Sequence, residues 1–161
     1  MPDNAFTPLL ERSIAIAAPP AVVWEAVGDV RRMPEWSPQV TSVRLRAPED
    51  DIRLGTRFTN LNRLGDLEWV THGEIVRHEP AQEIAFRIAE NYTIWSFTLT
   101  ADGADTRLTQ RRETPDGISR FSLDLTENHL GGQKAFTALL EEGMERTLAG
   151  IRASTEAVAR R

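Results

Sequence analysis

The chain has 161 residues and a mass of 18.1 kDa, which is the size of one domain. Apolar residues make up 40% and charged residues 27%, values typical of a folded globular protein and not of a disordered one. The net charge of -5 offers no electrostatic reason to bind nucleic acid or an anionic membrane. We therefore expect a single domain, 1–161, with no nucleic-acid partner and no membrane insertion.

The residues that are missing exclude several chemistries. No cysteine is present, which rules out disulfides, thiolate nucleophiles and cysteine-ligated metal sites. His72, His78 and His129 are too scattered for a metal site, and the glycines form neither a phosphate loop nor a dinucleotide fingerprint. No signal peptide or long apolar run is recognisable. We expect a cytoplasmic protein, a monomer or homodimer, with no metal and no cofactor.

The first part of the chain predicts a strand followed by two short helices. Ile14 and Ile16 alternate with smaller or polar residues in a strand over 10–17. Proline at the first helical turn and apolar residues at helical spacing predict a helix over 20–27, and a second short turn follows at 29–32. The two prolines in 33–38 predict an irregular segment there.

The middle of the chain alternates apolar and polar residues between turn sequences, which predicts an antiparallel meander with short connections. Together with the first strand this makes a sheet of six or seven strands. The predicted strands of the meander are 40–46, 56–63, 67–78, 83–88, 92–100 and 106–113.

The C-terminal third predicts one long helix. Residues 118–130 fit either a strand extension or the start of a helix. After Gly131 and Gly132, apolar residues recur at i, i+3, i+4 and i+7 on one side and charged residues lie on the other. The whole pattern predicts an α+β fold in which a curved antiparallel sheet wraps around this C-terminal helix.

The widths of the sheet and the helix predict a hollow between them. A helix is about 10–12 Å across, whereas six strands at about 4.8 Å each span roughly twice that width. The sheet must therefore curl and leave space that the helix does not fill. Such a hollow suits an apolar ligand oriented by a few polar groups.

Strand alternation indicates which side chains face this hollow. If Phe58 faces the helix, the amides of Asn60 and Asn62 share its face, and Leu108 shares its face with Gln110 and Arg112. The same alternation sends the two histidines of the strand 67–78 outward. The residues we expect to line the hollow are Trp36, Phe58, Asn60, Asn62, Trp69, Thr71, Phe86, Trp95, Phe97, Gln110, Phe136, Leu140 and Met144.

Some of these residues have alternative interpretations. Trp36 either guards the cavity mouth or packs the short helices against the sheet. Asn62 either faces a ligand or hydrogen-bonds the backbone of a nearby turn. Gln110 and Arg112, near the end of a strand, are either internal or rim groups. For catalysis the sequence offers two weak candidates, Arg112 and Glu113.

The chain resembles the SRPBCC or START-like superfamily, most closely its bacterial polyketide cyclase/dehydrase-like members. The segments that carry the resemblance are 14–24, 33–38, 55–58 with Asn62 and Trp69, 76–80, 95–97, 106–109 and the final helix. The resemblance covers nearly the whole chain but includes no catalytic signature. It implies a helix-grip fold with an apolar cavity between the sheet and the last helix.

Three functions are compatible with these expectations. The first is binding of a hydrophobic small molecule, such as a lipid, polyketide or isoprenoid-like compound, without catalysis. The second is a polyketide cyclase/aromatase or dehydratase that uses the same cavity and a positioned acid or base. The third is a co-chaperone-like protein-interaction module that uses the outer sheet surface and leaves the hollow collapsed.

Overall fold

In the computed structural model, which describes residues 6–48 and 51–161, seven strands form one antiparallel sheet in the order β1-β7-β6-β5-β4-β3-β2. The strands are β1 (Leu9–Ile16), β2 (Val40–Leu45), β3 (Arg57–Leu64), β4 (Leu67–Glu79), β5 (Glu83–Ile88), β6 (Ile94–Asp102) and β7 (Asp105–Glu113). The helices are α1 (Pro20–Val27), a 3₁₀ helix (Val30–Glu35), α2 (Arg120–His129) and α3 (Gln133–Ala159).

The long helix α3 packs along the inner face of the sheet. Its apolar stripe buries Leu140, Met144, Leu148 and Ile151. The predicted helix-grip α+β fold is confirmed, with the larger of the two predicted strand numbers. No helix in the described part of the chain is both long enough and apolar enough to span a membrane.

The second short helix is longer than predicted. It begins after Asp29, whose carboxylate accepts a hydrogen bond from the N–H of Arg31 at 3.0 Å, and it continues through Pro34. The prediction that residues 33–38 form an irregular segment was therefore wrong for residues 33–35, which belong to this helix. Proline fits here because its φ of about -65° is also a 3₁₀ value, and a short helix loses only one donor to it.

The segment 118–130 forms a helix and not a strand extension. Ser119 caps it, since its hydroxyl oxygen accepts a hydrogen bond from the N–H of Ser122 at 3.2 Å. This cap stabilises the first turn of α2 and decides between the two interpretations that the alternating apolar residues allowed.

A bulge in β4 corrects one of the strand-face predictions. The register of β4 against β5 shifts between Ile75 and Arg77, so that His78 pairs with the buried Ile84. An extra residue in a strand reverses the alternation beyond it. The expected outward placement of His78 was therefore wrong, and its ring centroid lies 5.5 Å from that of Trp24 in α1.

One end of the space between sheet and helices is solidly packed. Phe58 is almost fully buried, and its ring meets that of Phe86 edge to face at 5.4 Å. It also lies against Gly73, where an added Cβ would come within 2.3 Å of the Phe58 ring. The apolar cluster at this end contains Ile16, Val23, Val27, Val30, Leu45, Phe58, Ile75, Leu108, Leu148 and Ile151.

Candidate ligand-binding cavity

The other end of the interior holds a cavity of about 510 Å³ between the sheet and the N-terminal half of α3. This volume lies within the range of about 300–1,000 Å³ that is usual for small-molecule sites. Helix α2 contributes a wall that the sequence analysis did not assign, with Phe121, Leu125 and Thr126 among its lining residues.

Most of the residues predicted from strand and helix faces line this cavity. From the sheet these are Asn60, Asn62, Trp69, Thr71, Phe86, Trp95, Phe97 and Gln110, and from α3 they are Phe136 and Leu140. Arg112 lines it as well. The walls are therefore mainly aromatic and aliphatic, with a small number of polar groups between them.

Three predicted residues lie elsewhere in the interior. Trp36 and Phe58 belong to the packed apolar cluster, and Trp36 lies against Gly150 of α3. Met144 packs with Leu10 and Leu140 in a smaller buried cluster. The structure thus places Trp36 where the packing interpretation puts it, outside the cavity lining.

Glu113 lies away from the cavity. It follows Arg112 in β7, and successive side chains of a strand point to opposite faces. Its carboxylate accepts a hydrogen bond from Arg77 at 3.2 Å, and this pair is partly exposed on the outer face of the sheet. Only Arg112 of the two weak catalytic candidates therefore reaches the cavity.

One wall of the cavity carries a small network of amide and hydroxyl groups. The Thr71 hydroxyl oxygen accepts hydrogen bonds from Nδ2 of Asn62 at 3.0 Å and of Asn60 at 3.4 Å. Asn62 also donates to the carbonyl of Trp69 in the neighbouring strand β4 at 3.3 Å, and its side chain lines the cavity. The buried Oδ1 of Asn60 has no partner in the described part of the chain.

The facing wall carries Gln110 and Arg112, two residues apart on β7. They pair with Phe97 and Trp95 of β6, which also line the cavity. Both are buried, which excludes the rim interpretation, and the Oε1 of Gln110 has no hydrogen-bond partner among the described residues. Burial lowers the pKa of Arg112 from its ordinary value to about 10, so the side chain remains positively charged at neutral pH.

Helix α2 is held at the cavity mouth by the turn after β5. The hydroxyls of Ser119 and Ser122 donate to the carbonyl of Glu90 at 2.6 and 3.3 Å. The carboxylate of Glu90 in turn contacts the His72 ring at 2.6 Å. The sequence signal for this wall was Ser119, a good N-cap residue before a run with apolar positions.

The residues 6–48 and 51–161 contain no cluster of three or more histidine, aspartate or glutamate side chains suited to a metal ion. The buried part of the lining offers apolar side chains, uncharged amides and hydroxyls, and the guanidinium of Arg112. These groups can bind and orient an organic molecule, and the guanidinium can stabilise negative charge on it.

Solved structures share this architecture. The di-domain ARO/CYC StfQ from the steffimycin biosynthetic pathway has a TM-score of 0.73 and 16% identity, over 96% of this chain and 52% of that chain. Major latex-like protein 151 from Panax ginseng has a TM-score of 0.68 and 14% identity, over 94% and 99%. Protein Ms6760 from Mycobacterium smegmatis has a TM-score of 0.65 and 20% identity, over 94% and 93%. At these identities the likeness shows a shared fold.

Fold and cavity together define a helix-grip protein with an internal, largely apolar space. The family model described as polyketide cyclase / dehydrase and lipid transport matches residues 7–156. The chain therefore belongs to this family, and the SRPBCC resemblance is confirmed. No curated protein matches the chain.

Proposed function

We propose that the protein binds a hydrophobic small molecule, such as a lipid, polyketide or isoprenoid-like compound, in the cavity between its sheet and α3. The observation that carries the proposal is the cavity of about 510 Å³ with aromatic and aliphatic walls. Apolar surface buried there contributes about 25 cal/mol per Å² to binding before the costs of association. Asn60, Asn62 and Arg112 orient the ligand.

A fluorescence titration with N-phenyl-1-naphthylamine, an uncharged apolar probe, tests this proposal. Leu140→Trp places an indole in the cavity from the α3 side and should abolish or strongly weaken probe binding. Ala153→Trp, on an exposed position of the same helix, is the matched control and should bind like the wild type. Circular dichroism shows whether each variant is folded.

Native mass spectrometry of protein purified from its own host provides an independent measurement. A retained apolar molecule is the expected result. Lack of probe binding by the folded wild-type protein, or equal binding by the Leu140→Trp variant, would contradict the proposal. Either result would favour a protein-interaction module, which needs no open cavity.

Arg112 favours catalysis as a second candidate function. A buried guanidinium at the cavity wall stabilises an enolate more strongly than it would in water, and enolates form during cyclisation and dehydration of polyketide chains. The test is turnover of the molecule that mass spectrometry identifies. Loss of turnover in a folded Arg112→Leu variant supports an enzyme, whereas an unchanged bound molecule supports a carrier.

A further inference from the structure

We infer that the hydrophobic ligand carries an acidic oxygen group, such as a carboxylate, enolate or phenolate, and that Arg112 and Gln110 bind this group inside the cavity. The inference rests on the proposed function of the same cavity and specifies the ligand class. It is based on side chains that are buried at the cavity wall and have no partners among residues 6–48 and 51–161.

Arg112 is the central observation. The Arg112 side chain is buried, with the residue only 5% exposed. Its guanidinium nevertheless makes no hydrogen bond or ion pair with any residue in the described parts of the chain, 6–48 and 51–161. By contrast, the partly exposed Arg77 and Arg111 both bond to carboxylates. A buried charge without a counter-charge is costly, so native proteins pair such groups with another residue, an ion or a ligand.

Among the residues that the structure describes, none supplies a counter-charge to Arg112. Its neighbours across the sheet are Leu10 in β1 and Trp95 in β6, both apolar. The other charged residues that line the cavity are Glu68, Glu90, Glu142 and Arg146. Glu68, Glu142 and Arg146 are exposed, and the carboxylate of Glu90 is bonded to His72. None of these carboxylates forms an ion pair with Arg112.

Gln110 provides a second, uncharged polar group beside Arg112 on β7. It lies on the same face as Arg112, about 7 Å away along β7, and its amide forms no hydrogen bond with the described residues. An acidic oxygen group bound by the guanidinium could accept a hydrogen bond from the Gln110 amide nitrogen. A hydroxyl on the ligand would satisfy the buried Oε1 atom.

The geometry assigns the acidic end of the ligand to the β7 wall and the apolar part to the rest of the cavity. The network of Asn60 on β3 and Thr71 on β4 lies three to four strands away, about 14–19 Å along the curved sheet, and is uncharged. Arginine suits this role because its guanidinium is always charged near neutral pH and can form two parallel hydrogen bonds with a carboxylate.

A matched pair of probes tests the inference. 1-Anilinonaphthalene-8-sulfonate and N-phenyl-1-naphthylamine share one ring skeleton and differ by an anionic sulfonate. Fluorescence titrations would measure the Kd of both probes for the wild type, Arg112→Met and Arg107→Met. Arg107 lies on the same strand but is exposed, so its variant controls for a change in net charge.

The expected result is a selective loss. Arg112→Met should weaken binding of the sulfonate about 10- to 100-fold, as expected for a lost charge-assisted hydrogen bond, and change binding of the neutral probe by less than about threefold. Arg107→Met should leave both Kd values near those of the wild type. Equal changes for both probes in Arg112→Met would overturn the inference while leaving the proposed function intact.

A second measurement on the wild type covers the case in which Arg112→Met does not fold. Dodecanoate should displace the bound neutral probe at about a tenfold lower concentration than 1-dodecanol, which has the same chain length and no charge. Equal displacement by the two compounds would overturn the inference. Failure of the neutral probe to bind the wild type at all would instead overturn the proposed function.

Discussion

The two ends of the interior are built from the same strands and the same helix but differ in packing. In β3, the buried ring of Phe58 belongs to the packed end, whereas Asn60 lines the cavity. In β7, Leu108 belongs to the packed end, whereas Gln110 and Arg112 line the cavity. Two residues along a strand are therefore enough to pass from an apolar core to a polar wall.

The long helix shows the same division. Leu148 and Ile151, toward its C-terminal half, pack into the apolar cluster, whereas Phe136 and Leu140, toward its start, line the cavity. Among the described residues, the packed end contains no buried polar atom that lacks a partner in the way Asn60 and Gln110 do at the cavity. Tight packing and the cavity therefore lie at opposite ends of the interior.

Truncation of an aromatic ring should have the largest effect on stability, and the loss should be greater at the packed end than at the cavity. Phe58→Ala removes a ring that is 1% exposed and packed against Phe86, and we expect it to lower the free energy of unfolding by about 3–5 kcal/mol. Phe136→Ala makes the same change on the cavity side, where the ring is only partly buried, and should cost clearly less. Urea unfolding measures both, and equal losses would contradict the division.

Arg112→Met, at the cavity, should instead increase the free energy of unfolding. The folded-state pKa of Arg112, about 10, lies well below its ordinary value, so the folded protein binds this proton less tightly than the unfolded chain does. Since one pKa unit corresponds to about 1.4 kcal/mol, the charge costs the folded state on the order of 3 kcal/mol near neutral pH. Replacement by methionine should recover part of this free energy.

The pH dependence supplies the control for that variant. The cost is present in full below pH 10 and is relieved as the pH rises above about 10, where the folded state loses the proton before the unfolded chain does. The stability advantage of Arg112→Met over the wild type should therefore be constant from pH 7 to 9 and shrink above pH 10. A pH-independent advantage would point to packing instead.

The fold and the faces of its strands could be predicted from the sequence because both depend on local periodicity. Alternation placed Asn60, Asn62, Gln110 and Arg112 on the inner face, and all four line the cavity. A bulge is not visible in such a pattern, because the extra residue in β4 cannot be told apart in the sequence from the strand residues around it. His78 was assigned to the wrong face for that reason.

The position of the cavity along the sheet could not be predicted in the same way. Trp36, Phe58 and Met144 were expected to line it, but alternation reports only the face of an element and not how closely the opposing layer approaches at each point. That approach depends on the curvature of the sheet and on where α2 and the 3₁₀ helix pack. Both are tertiary features, and the sequence left α2 ambiguous.

The smallest expected effect concerns the polar wall opposite Arg112. Asn60→Leu removes an amide that is 3% exposed, whose oxygen has no partner and whose nitrogen makes one long bond, 3.4 Å, to Thr71. Loss of so weakly satisfied a group should change the free energy of unfolding by less than about 1 kcal/mol in either direction, although the residue is as buried as many in the packed core. Asn62→Leu is the comparison, since Asn62 makes two shorter bonds and its loss should destabilise the protein more. Urea unfolding of both variants checks the order, and a larger loss for Asn60→Leu would show that the Asn60 amide is bound more firmly than its contacts indicate.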